Sequence, residues 1–338
     1  MRYIEAVRAQ GKNLRISRSA VSGQLSSLDL APWRDRRLGL VGMGASANAI
    51  LSALRSYWSA GLTAVPWLGS ELSQAGTAAG VEAVIAVSQG GESAEIIAAL
   101  RDLPDGVASL AVTDALESPV GRLARAALDL ELLEDSNVRT IGYTGTVQGL
   151  LLLRDALAPG HAPAAEWDWL ADQVDELVPA AEQLAGRLLE TLRGARSFDL
   201  VGSGVHAGTA AQGALLLREV AKLPAAAYET YQYLHGPIEA AGPGLVLLVT
   251  GGAREVKLAE SMADAGATVL LVTATATAGA SRPGLTVFPL PAARPGTEPA
   301  AEAILGILPA QAISGALADA AGLPDGEFRY HQDDTKVR

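Results

Sequence analysis

The chain has 338 residues, 49% of them hydrophobic and only 4% aromatic, so it is long enough for two domains with cores of alanine, leucine and valine. Its formal net charge of −11 argues against a nucleic-acid partner, because such proteins need a basic surface. Cysteine is absent and the four histidines are scattered, which excludes disulfides and a thiol nucleophile and argues against a metal site.

The N-terminus has no apolar signal segment, and no apolar run is expected to reach the length of a membrane span. We therefore expect a cytoplasmic protein with no membrane partner.

Strand and helix patterns alternate through the first half of the chain. Residues 3–27 have helical spacing, and a long helix is predicted for residues 138–157. Between them, strands with intervening helices are predicted at 38–41, 63–68, 84–87, 109–113 and 127–130. This alternation predicts an α/β fold with a doubly wound parallel sheet.

The same pattern returns after a Pro/Gly-rich linker at 159–163 and a helix at 167–192. Residues 199–204 match residues 39–44 at an offset of 160, so that Gly202 corresponds to Gly42. Residues 247–252 match residues 85–90 at an offset of 162, and residues 271–273 match residues 111–113 at an offset of 160. Three landmarks at nearly one offset predict a duplicated domain. The predicted segments are an N-terminal helix (1–28), a first domain (29–160), a linker and interdomain helix (161–193), a second domain (194–323) and a C-terminal tail (324–338).

The most informative stretch follows the strand at 84–87. It reads S-Q-G-G-E-S (88–93) and continues with helical spacing. A strand that ends in a Gly-rich polar turn before a helix exposes N–H groups at the positive helix end, which suits a phosphate monoester. Turns at the carboxyl ends of neighbouring strands share one crevice, so the hydroxyl and amide side chains expected to converge are Ser46, Ser88, Gln89, Ser93 and Thr140. The alternative is that the hydroxyls only cap helices.

A second glycine motif, G-M-G-A-S-A at 42–47, also follows a strand. It fits the dinucleotide-binding pattern, so a nicotinamide-dependent dehydrogenase is one alternative. Glycines that only allow tight packing of strand and helix are the other.

The turn at 87–93 resembles the S-x-S-G-x-[ST] signature of the sugar isomerase (SIS) family. Residues 213–219, G-A-L-L-L-R-E, resemble the family segment E-G-A-L-K-L-K-E; residues 235–237 repeat its H-G-P, and residues 334–337, D-T-K-V, stand where relatives carry a lysine tail. From about residue 30 onward, the chain resembles phosphosugar isomerases and aminosugar-6-phosphate deaminases with two SIS domains, including the isomerase half of glucosamine-6-phosphate synthase. The resemblance implies two tandem flavodoxin-like domains.

The resemblance also implies roles for individual residues. Glu219 would move a proton between C1 and C2, His235 would open the sugar ring from the neighbouring subunit of a homodimer, and Lys336 would close over the site and form an imine. The residues implied in phosphate and sugar binding are Gly44, Ser46, Ser88, Gln89, Gly90, Gly91, Ser93, Val138 and Thr140. No cofactor or metal is implied.

Structural alternatives exist for these implied catalytic residues. Glu219 could be an ion-pair partner of Lys222 or Arg218, His235 could cap a turn, and Lys336 could belong to a frayed end. His331 could join the lid or lie on the surface.

Three positions depart from the family pattern. Gly90 replaces a serine of the turn, Gln212 stands where the family has glutamate, and Leu216 where it has lysine. These changes, and the lack of a cysteine nucleophile for a glutaminase domain, weaken the case for the synthase reaction.

The expected function is therefore interconversion of ketose and aldose 6-phosphates, coupled to amination or deamination, with glucosamine 6-phosphate deamination as the leading reaction. A fructosamine-6-phosphate deglycase and a non-catalytic phosphosugar-binding regulator are the alternatives.

Overall fold

The computed structural model describes residues 1–76, 80–161, 165–276, 279–330, 332 and 334–337. Its first half is an N-terminal helix followed by a five-stranded parallel sheet with order β2-β1-β3-β4-β5. The elements of this half are α1 (Tyr3–Leu25), β1 (Leu38–Gly42), α2 (Gly44–Ser59), β2 (Ala64–Leu68), α3 (Gly69–Ala75), β3 (Ala83–Val87), α4 (Ala94–Arg101), β4 (Ala108–Thr113), α5 (Pro119–Leu123), β5 (Ala126–Asp129) and α6 (Ile141–Leu157).

The second half repeats this arrangement behind a 27-residue helix. Its sheet is also parallel and has the order β7-β6-β8-β9-β10, which is the same topology as the first sheet. The elements are α7 (Trp167–Arg193), β6 (Ser197–Gly202), α8 (Val205–Glu219), β7 (Ala225–Glu229), α9 (Thr230–Leu234), a short 3-10 helix (Pro237–Ala240), β8 (Leu245–Thr250), α10 (Ala253–Asp264), β9 (Thr268–Thr273), β10 (Leu285–Pro289), α11 (Glu298–Gly306) and α12 (Leu308–Ala320). The predicted tandem flavodoxin-like fold is confirmed.

Strand β3 shows why continuous apolar runs form the sheet centres. All five of its residues are buried. Ile85 and Val87 pack into one hydrophobic core, whereas Val84 and Ala86 pack into another on the opposite face. A strand covered on both faces has no solvent-facing positions, so its sequence does not alternate.

The order of the first sheet places the site. Chain connections run from β1 to β2 on one side and from β3 to β4 on the other. The turns after the adjacent strands β1 and β3 therefore meet at the point where the winding direction changes, which is where ligands bind in open α/β sheets.

Helices α2 and α8 join the two halves through a close contact. A Cβ atom on Gly208 of α8 would lie 2.2 Å from the Oγ of Ser52 and 2.5 Å from the backbone oxygen of Asn48, both on α2. Glycine is therefore required for this approach. It brings the beginning and middle of α8, a second-half helix, against the helix that follows the first glycine turn.

Polar side chains buried between helices fix the N-terminal helix against both halves. The amides of Gln10 and Gln311 donate to each other's oxygens at 2.9 and 3.1 Å, and the Oγ1 of Thr144 donates to the Oε1 of Gln10 at 3.1 Å. All three side chains are fully buried, so these bonds link α1, α6 and α12 in one geometry.

Some sequence expectations are modified. The helix predicted from residue 138 begins at Ile141. The expectation that no apolar run reaches the length of a membrane span is wrong: Glu298–Ala320 is long and apolar enough to cross a membrane. This stretch is divided between α11 and α12, and 89% of its most apolar 18 residues are buried in the protein, as in a core helix. The predicted domain boundaries stay predictions, and the linker at 159–163 lies partly outside the described residues.

Candidate functional site

The turn after β3 carries two hydroxyls that are not used to cap a helix. Ser88 is 4% exposed, and Ser93 occupies the N-cap position of α4 with extended backbone angles, yet its side chain accepts no N–H from the first turn. The only side-chain bond described for either residue is the one between them, with Oγ to Oγ at 3.4 Å. Both hydroxyls are therefore free to bind a ligand, contrary to the capping alternative.

The two glycines of this turn differ in what they permit. Gly91 has φ +65°, and a Cβ there would lie 1.8 Å from the Oγ of Ser118, so only glycine fits. A Cβ on Gly90 would meet no atom within 4 Å. The structure therefore does not require glycine at position 90, and the serine of the family pattern would fit there.

A cavity of about 170 Å³ lies against this turn at the end of the sheet. Six residues predicted as site residues line it: Ser46, Ser88, Gln89, Gly90, Ser93 and Lys336. Its remaining lining residues are Met43, Ala45, Glu92, Arg139, Gly142 and Thr146.

Four predicted binding residues do not line the cavity. Gly44 and Gly91 have positive φ angles and shape the two turns. Val138 is fully buried, and its carbonyl accepts the Ser136 hydroxyl at 2.5 Å. The fourth residue is Thr140.

Thr140 binds a carboxylate of the protein itself. Its hydroxyl donates to Asp135 at 2.9 Å, and the Asp135 carboxylate also accepts the backbone N–H groups of Thr140 and Gly142, the latter at 2.7 Å. Burial raises the pKa of Asp135, while the Gly142 N–H opposes that rise. The N–H groups at the start of α6 are thus already bound by an internal anion.

Arg139 and Thr146 line the cavity but were not predicted as site residues. Arg139 directly precedes Thr140, the N-cap residue of α6. The position of a cation beside the start of this helix is the sequence signal that could have identified Arg139. Thr146 lies one helical turn beyond Gly142, whose carbonyl accepts its hydroxyl at 2.5 Å.

The C-terminal tail docks onto the turn. Ser93 and Lys336 form an antiparallel bridge, the N–H of Ala94 donates to the Thr335 carbonyl at 3.2 Å, and the N–H of Val337 donates to the Glu92 carbonyl at 2.9 Å. Lys336 therefore lines the cavity although it lies two residues from the C-terminus. His331 lies outside the described residues.

Glu219 is the last residue of α8 and is half-buried. Within the described part of the chain, no cation lies within 4 Å of its carboxylate; the Nζ of Lys222 donates instead to the backbone carbonyl of Glu219 at 2.6 Å. Burial raises the pKa of the Glu219 carboxyl to about 7. The positive charges of Lys222 and Arg139 act in the opposite direction and lower the pKa by less than burial raises it. The predicted ion-pair alternative is not formed. Glu219 does not line the cavity, but the charge of Arg139, which does line it, opposes the rise in the pKa of this carboxyl.

His235 is not brought to the cavity within one chain. It is exposed, and it ends α9, where its backbone N–H donates to the Gln232 carbonyl at 3.2 Å. The prediction that it acts in a neighbouring subunit stays a prediction.

In the second half, donors around the corresponding turn are bound by an internal carboxylate. Glu255, 3% exposed, accepts hydrogen bonds from the hydroxyls of Ser203 at 2.8 Å and Thr230 at 2.6 Å and from the N–H of Gly252 at 3.1 Å. By the offset of 162, Glu255 corresponds to Ser93. This carboxylate binds donors that a phosphate would need, in contrast to the first-half turn, where Ser88 and Ser93 line the cavity.

The glycine motifs at 42–47 and 202–207 serve close packing. A Cβ on Gly42 would lie 2.9 Å from the backbone nitrogen of Ala47, and one on Gly202 would lie 2.7 Å from the backbone oxygen of His206. Among the described residues, no group of three or more histidine, aspartate or glutamate side chains could hold a metal ion.

Sequence comparison finds isomerising glutamine–fructose-6-phosphate aminotransferases, although no family model matches the chain. The protein from Thermococcus kodakarensis is 33% identical over 166 residues, which are 46% of this chain and 27% of that protein. The protein from Sulfurisphaera tokodaii is 24% identical over 215 residues, 63% of this chain and 36% of that protein. The chain thus matches only 27 to 36% of the length of these relatives.

Solved structures match almost the whole chain. Tagatose-6-phosphate ketose/aldose isomerase from Escherichia coli has a TM-score of 0.78 at 18% identity and covers 98% of this chain and 96% of its own. The C-terminal domain of glucosamine-fructose-6-phosphate aminotransferase from Francisella tularensis scores 0.75, and glucosamine-6-phosphate deaminase from Thermotoga maritima 0.74, each at 18% identity with coverage of 96% and 98%. The predicted resemblance to the sugar isomerase family and its tandem fold is confirmed.

Proposed function

We propose that the chain binds a sugar 6-phosphate in the first-half cavity and interconverts ketose and aldose forms, with loss or gain of an amine at C2. The observation that carries this proposal is the turn at 88–93, where the hydroxyls of Ser88 and Ser93 face a cavity and cap no helix. Lys336 adds a positive charge beside them. Hydroxyls, N–H groups and a cation around one small space suit a phosphate group.

Glu219 is the proposed base. With a pKa of about 7, its carboxyl is partly deprotonated at neutral pH, so it can take a proton from one carbon and return it to the next. For glucosamine 6-phosphate, removal of the C2 proton from the open-chain aldehyde and protonation at C1 yield a C2 imine. Water then hydrolyses the imine to fructose 6-phosphate and ammonia.

His235 and Lys336 complete the proposed mechanism. The exposed position of His235 is compatible with a homodimer in which the histidine reaches the partner's cavity and opens the ring. The amine of Lys336 can form an imine with an open-chain ketose. We propose that this dimer works in the cytoplasm.

Ammonia release from glucosamine 6-phosphate, followed together with fructose 6-phosphate formation, tests the proposal. We expect turnover in the wild type and a loss of turnover of at least about 100-fold in Glu219→Gln. The control variant, Glu71→Gln, should change turnover little, because it alters an exposed glutamate of α3. Equal turnover in wild type and Glu219→Gln would contradict this mechanism. Phosphosugar binding without turnover of any substrate would instead favour the non-catalytic regulator.

A fructosamine-6-phosphate deglycase is the second candidate. Two cationic side chains, Arg139 and Lys336, line the cavity beside one carboxylate, Glu92, so the net positive charge of the lining disfavours the ammonium group of glucosamine 6-phosphate. An amino acid attached to C1 would bring a carboxylate to the same space. Activity on such compounds and none on glucosamine 6-phosphate would establish this candidate over the first.

A further inference from the structure

Arg139 lines the cavity, and no direct ionic partner is found for it among the residues that the structure describes. Its guanidinium has one described contact, in which Nη1 donates to the Ser136 carbonyl at 3.5 Å. Glu219, Asp135 and Asp114 are near enough for its charge to act on them, but among the described residues no carboxylate lies within 4 Å of it. A partly buried guanidinium is normally paired, so Arg139 is available to an anionic group from outside the protein.

Two amide side chains hold the backbone of Arg139 in place. The Nε2 of Gln212 donates to the Arg139 carbonyl at 3.3 Å, and the Nδ2 of Asn48 donates to the Oε1 of Gln212 at 3.1 Å. Gln212 is 1% exposed, so this chain of bonds is shielded from water. A glutamate at position 212 has no donor for the Arg139 carbonyl when ionised. The departure from the family pattern at Gln212 is thus structurally tied to an arginine in the cavity.

We propose that Arg139 binds a carboxylate on the substrate that is separate from its phosphate, and that Gln212 is the residue that positions Arg139. The proposal rests on the second candidate of the proposed function, the deglycase, because it assumes in this cavity a 6-phosphosugar with a substituted amine at C1. The phosphate has its own donors in the turn at 88–93, which leaves the guanidinium for a second anion. The substrate class is therefore a 6-phosphosugar whose amine substituent carries an acidic group.

Two unreactive ligands that differ by one charge test the proposal. N-(6-phosphoglucitol-1-yl)glycine carries a carboxylate, and its glycinamide counterpart carries a neutral amide in the same place. Titration calorimetry on the full chain should show that the glycine compound binds about tenfold or more tightly, the scale of one charge-assisted hydrogen bond. In Arg139→Gln the preference should fall to about one, with the glycinamide affinity nearly unchanged. Arg139→Lys should retain part of the preference, because it keeps the charge but not the planar fork.

Gln212→Glu provides the test of positioning. It should reduce the preference for the glycine compound while leaving glycinamide binding in place, a result that a general loss of stability would not give. Equal binding of both ligands to the wild type overturns this inference and leaves the proposed function standing. A parallel loss of both affinities in Arg139→Gln assigns the guanidinium to the phosphate and also overturns it. Failure of the wild type to bind either ligand also overturns this inference, whereas the turnover of glucosamine 6-phosphate decides separately on the proposed function.

Discussion

Replacing Glu219 with glutamine should make the protein more stable at alkaline pH and inactive at every pH. The carboxyl is half-buried and binds its proton more tightly in the folded chain than in the unfolded one, because burial penalises its charge. Between pH 4.5 and about 7 the folded state therefore holds more protons, and the free energy of unfolding falls as pH rises through this interval. Glutamine has nearly the same shape and carries no charge.

The expected size follows from the pKa. A rise from 4.5 to about 7 corresponds, at about 1.4 kcal/mol per unit, to a penalty of about 3 kcal/mol that is complete only above pH 7. Solvent contact of the half-buried carboxyl makes this an upper bound. At pH 8 the Glu219→Gln variant should be more stable than the wild type by up to that amount, whereas at pH 4 the two should be nearly equal.

Urea unfolding at pH 4, 6 and 8 measures this difference, with Glu71→Gln as the control because Glu71 is exposed. The control should show a small, pH-independent change. A stability difference for Glu219→Gln that is the same at pH 4 and pH 8 would refute the argument that burial raises this pKa. The pH profile of turnover is an independent check: kcat/KM should rise with pH through about 7.

Three further predictions concern the two turns and the tail. Gly91→Ala should lower the free energy of unfolding by about 1 to 3 kcal/mol, because the residue has a positive φ and its Cβ would overlap Ser118. The neighbouring control, Gly90→Ala, should change the free energy of unfolding by less than about 0.5 kcal/mol, and urea unfolding compares the two variants. Lys336→Gln should weaken fructose 6-phosphate binding about tenfold in calorimetry without altering the melting temperature of the free protein, and an unchanged affinity would remove Lys336 from the site. Glu255→Gln should cost about 1 to 3 kcal/mol of stability, because an amide cannot accept all three hydrogen bonds that the carboxylate accepts; an unaltered unfolding midpoint would contradict this.

The two halves differ at the turn that follows the third strand of each sheet. Both halves retain the strand order and the glycines that pack strand against helix. At the equivalent position after the third strand, the first half has Ser93, which faces a cavity, and the second half has Glu255, whose carboxylate binds the neighbouring donors. The duplication therefore preserves the strand order, whereas the turns at 88–93 and 250–255 are identical at one position of six, so several side chains together determine which donors are left for a ligand.

Hydrophobic patterning was sufficient to predict the first sheet and, through three matching segments, its duplication, whereas the edge strands β7 and β10 of the second sheet were not predicted. Runs such as 84–87 and 247–249 are apolar at every position because parallel strands are covered on both faces, so their order along the chain identifies the fold. The turn at 88–93 was predictable for a related reason: hydroxyls and glycines between a buried strand and a helix indicate the anion turn directly.

Only the tertiary structure decided which polar groups remain free for a ligand. Thr140 and the start of α6 bind Asp135, and Arg139 lies in the cavity with its backbone held by Gln212 from the other half. These outcomes depend on contacts between residues that are distant in sequence or on side-chain direction at a helix end. The spacing of apolar and polar residues predicts neither of these. It indicates which face of a helix or strand is buried, but it does not indicate which donor binds which acceptor.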